Sequence, residues 1–135
     1  MATTGVVDGR LIQLKAAGSA IANLLSHDES FNTAMRDITT KDSAGNSESA
    51  PGLRSYDVSG KFLFVEGATE GFGAMLAAQQ AGTLLTLISA SLVSGDTKIT
   101  YSAYVMTLKK TNPQNANVEI DVTFKITGAI TIGTV

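Results

Sequence analysis

The sequence predicts a mostly β domain of the α+β kind: an antiparallel β-sandwich or partial barrel with one flanking helix. Three observations carry this. Several stretches alternate apolar and polar residues with period 2, a single stretch has helical spacing, and alternating stretches lie on both sides of it. The 135 residues suit one domain, 1–135, large enough to bury a core without disulfide or metal staples.

Residues 10–16 (RLIQLKA) alternate, with Ile12, Leu14 and Ala16 on one face, and read as a strand. AAGSA signals a turn. Weaker strand patterns cover 24–31 and 33–39. Residues 55–65 (SYDVSGKFLFV) place Tyr56, Val58, Phe62 and Phe64 on one face and Ser55, Asp57, Ser59 and Lys61 on the other. Gly60 interrupts the apolar face, where it marks a bulge or a close backbone approach.

The period then becomes helical. Thr69 suits an N-cap and Glu70 the first turn, where a carboxylate favours the helix dipole. Phe72, Met75, Leu76 and Gln79 follow at i, i+3, i+4 and i+7, and Gly82 stands where a C′ glycine belongs, so a helix is predicted over about 70–81.

Residues 83–93 are apolar on both faces and read as a strand covered on both sides. A turn at 94–96 leads to a long strand over 98–109, with Ile99, Tyr101, Ala103 and Val105 on one face. After a loop at 109–117, residues 118–127 alternate without exception. Val118, Ile120, Val122, Phe124 and Ile126 face one way, and Glu119, Asp121, Thr123, Lys125 and Thr127 the other. Gly128 breaks the pattern, and 129–135 form a short last strand. There is no internal repeat.

Composition narrows the function classes. Charged residues make up 16%, below the roughly 25% usual for soluble domains, which suits a surface largely covered by copies of itself. A net charge of −2, with no basic cluster beyond Lys109 and Lys110, argues against a nucleic-acid footprint. The absence of cysteine excludes disulfides, thiolate metal sites and cysteine nucleophiles. The opening MATTGVVDGRLIQLK has no basic region followed by an apolar one, so no secretory signal is expected. The stretch 83–93 is too short to span a bilayer, and no membrane partner is expected.

No catalytic constellation emerges. His27, in SHDES, shares a strand face with Glu29, while Asp28 lies on the other. A lone histidine with one carboxylate makes a poor metal site, so a surface or interface histidine is expected. GNSES, residues 45–49, lacks the closing glycine of a nucleophile elbow. EGFGAML, residues 70–76, has no phosphate-loop lysine and is read as tight helix packing. DSAGNSE, residues 42–48, fails the calcium-loop spacing. Glu119 and Asp121 share a face with Lys125 but have no convergent partner, so that face is read as solvated or water-lined. The expectation is a protein without enzymatic activity, cofactor or metal.

One stretch fits none of these categories: TTKDSAGNSESAPGLRS, residues 39–55, polar throughout and holding one of the two prolines. Connections this long in a compact domain are usually functional or disordered. Together with its flanks, DITTKDSAGNSESAPGLRSYDVSGKFLF at 37–64, it resembles the signature segment of siphophage major tail tube proteins. The match is carried by Thr39, Thr40, Lys41, Asp42, Ser43, Glu48, Pro51, Gly52, Arg54, Ser55 and Gly60, and by GRLIQL at 9–14, similar to the family's first strand. Asn46 stands where relatives commonly carry an aromatic, and Tyr56 where they carry Trp.

The resemblance implies a structural virion protein with the tail-tube fold, assembled in the host cytoplasm. Six copies would join sheets edge to edge into a ring, and rings would stack into a hollow tube. The tube would hold a tape-measure protein, meet terminator and baseplate or tail-tip proteins at its ends, and conduct DNA without specific binding. The polar loop, about 40–54, would be the inter-subunit and ring-stacking element. Lys41, Asp42, Ser43, Glu48 and Arg54 would be available to neighbours, with Pro51 and Gly52 setting the return turn. The face bearing Glu119, Asp121, Thr123 and Lys125 is a candidate lumen lining. An outer sheet face stands equally open, because alternation tells which residues share a face and not what the face meets. Two other functions compete: the inner tube of a contractile tail, against which the TTKDS form speaks, and a small β-sandwich module for carbohydrate or cell surfaces. The latter needs clustered exposed aromatics, whereas this chain has no Trp and three Tyr, of which Tyr56 and Tyr101 are predicted inward.

Overall fold

The computed structural model describes residues 4–16, 19–21, 24–66 and 71–135. Seven strands form one antiparallel sheet: β1 (Gln13–Ala16), β2 (Ser19–Ala20), β3 (Leu24–Asp37), β4 (Ser49–Leu63), β5 (Leu85–Ala90), β6 (Thr97–Thr111) and β7 (Glu119–Thr134). Their order across the sheet is β2-β1-β5-β6-β7-β4-β3. One helix, α1 (Phe72–Ala81), lies between β4 and β5 in the chain.

Alternation holds wherever it was regular. Ile120, Val122, Phe124 and Ile126 of β7, Tyr101, Ala103 and Val105 of β6, and Val58 and Phe62 of β4 are all buried. They meet Leu14 and Leu87 in one core, which Met75 and Ala78 of α1 join. Elements differ from expectation mainly where the pattern is interrupted. The strands expected at 118–127 and 129–135 are one, because Gly128 takes a left-handed φ of +81° at a register shift opposite 100–102, after which pairing resumes. The strands expected at 24–31 and 33–39 are likewise one, with a shift between Thr33 and Met35. The first strand begins later, at Gln13. Gly9–Leu11 instead form a 3₁₀ turn, whose cap residue Asp8 accepts the Arg10 N–H at 3.0 Å. Within the apolar run 83–93, only Leu85–Ala90 are strand.

In α1, Thr69 and Glu70 lie outside the described residues; the cap position is held by Gly71, which has no side chain to accept a helix N–H. Gly82 closes the helix with φ +68°, its N–H bonding Gln79 O at 3.3 Å while Thr83 N–H bonds Ala78 O at 2.9 Å. Leu76, expected inward, is exposed, and Gln79 Nε2 donates to Met106 O at 3.2 Å. Tight packing fails as the reading of Gly73, around which a Cβ would meet nothing within 4 Å. The helix start is tied down by rings instead: Phe64 and Phe72 meet edge to face at 6.0 Å, with Lys110 Nζ 4.2 Å over Phe64.

The sheet is strongly curled. β3 and β6 are three places apart and would be roughly 14 Å apart in a flat sheet. Yet the Tyr101 hydroxyl on β6 lies 3.4 Å from Glu29 Oε1 on β3. The sheet therefore folds over its own core as a partial barrel, bringing the β3 edge toward the β1–β2 edge.

Candidate assembly and lumen surfaces

β4 has two different neighbourhoods. Residues 57–62 pair with β3 on one side and with β7 on the other, whereas 49–56 pair with β3 alone. Residues 31–37 and 49–56 therefore leave the body as a two-stranded arm, with no further strand along either edge among the described residues. At its root, Phe31 and Tyr56 meet edge to face at 5.7 Å.

The polar excursion expected at about 40–54 is thus shorter. Its second half is strand, and the reversal occupies 38–48. Lys41–Ser43 form a 3₁₀ turn, and Ala44 and Gly45 take φ of +53° and +81°. Thr39 closes the loop: its Oγ1 accepts the Glu48 N–H at 2.7 Å and donates to Glu48 O at 3.2 Å, while its N–H donates to Asp37 Oδ1 at 2.9 Å. The Thr39 side-chain and backbone bonds hold the exposed Asp37 carboxyl below its ordinary pKa.

Pro51 and Gly52 do not form the return turn. They lie inside β4 at the shift where Thr33 pairs with Arg54 but Met35 with Pro51. There a missing N–H is tolerated, because the ladder is locally broken. Any larger residue at Gly52 would crowd the opposite strand, since a Cβ would sit 3.0 Å from Ala34 O and 3.4 Å from Arg36 Cγ. Lys41, Asp42, Glu48 and Arg54 are exposed, and among the described residues none of them forms an ion pair.

The arm also carries apolar residues that the sequence reading passed over. Leu53 is 88% exposed and Met35 61%, with Phe31 and Ile38 also open. Each stands singly among polar residues, so no run flagged them. The available signal was that they lie on strands whose alternation had no apolar partner stretch.

Glu119, Asp121, Thr123 and Lys125 do share one face, opposite the core side chains of β7. Cross-strand neighbours from β4 complete it: Lys61 Nζ lies 3.4 Å from Glu119 and 4.0 Å from Asp121, and Lys125 Nζ lies 3.1 Å from Asp57. The paired acids are thus engaged by a lysine.

His27, expected at the surface or an interface, is largely covered within the subunit. It pairs with Gly60 of β4, where a Cβ would meet its neighbours only at ordinary contact distances of 3.5–3.6 Å, and the His27 and Glu29 side chains point inward, 11% and 16% exposed. They adjoin a groove of about 500 Å³ between β3, the N-terminal turn and Ser89. His27 Nε2 lies 3.4 Å from Glu29 Oε1. No group of three or more metal-ligating side chains occurs among the described residues, nor any helix long and apolar enough to cross a membrane.

Comparison with known proteins agrees with this architecture. In fold the chain is similar to a chain of the native gene transfer agent virion (TM-score 0.81, 18% identity, covering 95% of this chain and 99% of that one). It is also similar to the SPP1 tail tube (0.77, 14%, 96% and 80%). A further likeness is to a chain in the sheath/tube terminator structure of the PVC extracellular contractile injection system (0.69, 13%, 96% and 98%). No curated protein sequence matches. The family model described as phage tail tube protein matches residues 10–132. That match spans almost the whole chain, including the first strand, the arm and the long β6–β7 hairpin, and the chain belongs to the phage tail tube protein family as a structural component of the virion tail.

Proposed function

We propose that this chain is the major subunit of a long, non-contractile tail tube and works by assembly alone, without enzymatic chemistry. Six copies close into a ring, in keeping with the C6 symmetry of the similar gene transfer agent tail, and rings stack into a hollow tube. The tube encloses a tape-measure protein, is finished by terminator and tip proteins, and passes DNA.

The observation that carries this is the β3–β4 arm. A lone two-stranded ribbon is marginal in water, and unpaired strand edges are templates for pairing. Open edges, exposed apolar side chains and ion-pair-free Lys41, Asp42, Glu48 and Arg54 are together what a neighbouring copy would cover. The face of β4 and β7 bearing Glu119, Asp121, Thr123 and Lys125 is the proposed lumen lining. Lys61 and Lys125 on it are already taken up by carboxylates, so they offer phosphates little purchase.

The test is negative-stain microscopy of concentrated protein. The wild-type chain is expected to form rings or hollow tubes. Leu53→Asp combined with Met35→Asp is expected to remain monomeric with an unchanged unfolding midpoint, because both side chains are already in water. A wild-type chain that stays monomeric at every concentration would overturn the proposal.

A further inference from the structure

Glu29 has no part in the assembly reading so far, yet it makes contacts across the interior. It lies on β3, one edge of the sheet, while Tyr101 and Ser89 belong to β6 and β5, three and four places away. The Tyr101 hydroxyl donates to Glu29 Oε1 at 3.4 Å, His27 Nε2 lies 3.4 Å from the same oxygen, and buried Ser89 lines the same groove beside the carboxylate. No strand pairing links β3 to β5 or β6, and the adjacent groove of about 500 Å³ leaves the seam incompletely filled by apolar side chains. The polar cluster, beside Leu24 packed on the core, therefore links the edge to the barrel at this point.

We propose that Glu29 is an acid-sensitive clasp that fixes the curl of the sheet and thereby the direction in which the arm leaves the body. Phe31, the first residue of the arm, is two residues further along the same face. The strand end at Asp37 is eight residues beyond Glu29, roughly 26 Å at 3.3 Å per residue, so a tilt of about 10° at the clasp moves it by roughly 5 Å. Such a displacement is large compared with what interdigitated subunit contacts tolerate. The consequence for tubes rests on the assembly reading above; the clasp within the subunit does not.

The groups facing Glu29 are His27 from β3 and Tyr101 from β6, with uncharged Ser89 from β5; Arg10 and Asp28 stand at the groove rim. Burial pushes the Glu29 carboxyl upward, but the His27 and Ser89 bonds, the His27 charge and the Tyr101 bond together hold it below its ordinary value of 4.5. The sign follows: the clasp contribution is complete above that ordinary value and is lost as pH falls through the lower folded value. Burial and the Glu29 charge raise the Tyr101 hydroxyl well above its ordinary range, so it stays a donor throughout.

The experiment uses the full chain and two variants, Glu29→Gln and Tyr101→Phe, with hydrogen exchange read on dilute subunits and microscopy on tubes. At neutral pH, Glu29→Gln is expected to speed exchange of the β3 amides about tenfold or more while β6–β7 amides stay protected, and Tyr101→Phe to act in the same direction by about threefold. At amides 24–31, away from Asp37 at the arm's end, the wild type, corrected for intrinsic exchange, should approach the Glu29→Gln behaviour below about pH 4.5, and Glu29→Gln itself should show no such pH response there. Wild-type tubes should become irregular in the same acid window. If Glu29→Gln does not fold, the Tyr101→Phe exchange and the wild-type pH profile decide. Wild-type β3 exchange in the folded variants, or a pH response retained by Glu29→Gln, would overturn the clasp. A clasp response in subunits that never form tubes would overturn the assembly reading instead.

Discussion

The β6–β7 and β3–β4 hairpins have nearly the same length, 15 and 16 residues against 14 and 15. They differ in what covers them. β6–β7 is flanked by β5 and β4 and buries Tyr101, Val105, Ile120, Val122 and Phe124 beneath it. Among the described residues, the outer half of β3–β4 has no strand on either edge, and it leaves Met35 and Leu53 in water. Ladder formation needs only two extended chains, so both hairpins form. Stabilisation scales with the apolar area withdrawn from water, at about 25 cal/mol per Å², and in this respect the two diverge. One hairpin is complete within the chain; in the proposed tube, the other is finished by another copy.

The strongest challenge to this contrast is Phe124→Ala, at a side chain with 0% exposure. It is expected to cost about 3–5 kcal/mol, a large part of a typical domain's stability, read as a fall in the urea midpoint. A loss below about 1 kcal/mol would mean that β6–β7 is not the stabilising half. Gly52→Ala tests the arm. The added Cβ, 3.0 Å from Ala34 O, forces a local shift costing about 1 kcal/mol, and tubes should fail while β6–β7 amides stay protected. Normal tubes from this variant would show that the arm's path at its bulge is irrelevant to assembly.

The smallest effect on stability, within about 0.5 kcal/mol, is expected for Thr123→Cys on the charged face. Because the chain has no cysteine, this variant carries a single label site. A bulky maleimide should react with the subunit and be excluded from assembled tubes. Equal reactivity in both states would place the Glu119–Lys125 face outside the lumen.

The sequence alone determined the strands that bury one face, the helix and its Gly82 stop, and the family signature, because period-2 and period-3.6 burial and a left-handed glycine are local properties of the chain. Only the tertiary structure decided the rest. It joined segments across Gly128 and across the shift at Thr33, since a bulge resets alternation without ending a ladder. It moved Pro51 and Gly52 from a turn into a strand, because Pro51 pairs with Met35 and Gly52 meets Ala34 and Arg36 on the opposite strand. It turned His27 and Glu29 inward, since only the curl of the sheet brings Tyr101 and Ser89 within reach of a carboxylate three and four strands away at the edge. Local pattern specifies which face a residue shares; the closure of the sheet specifies what that face touches.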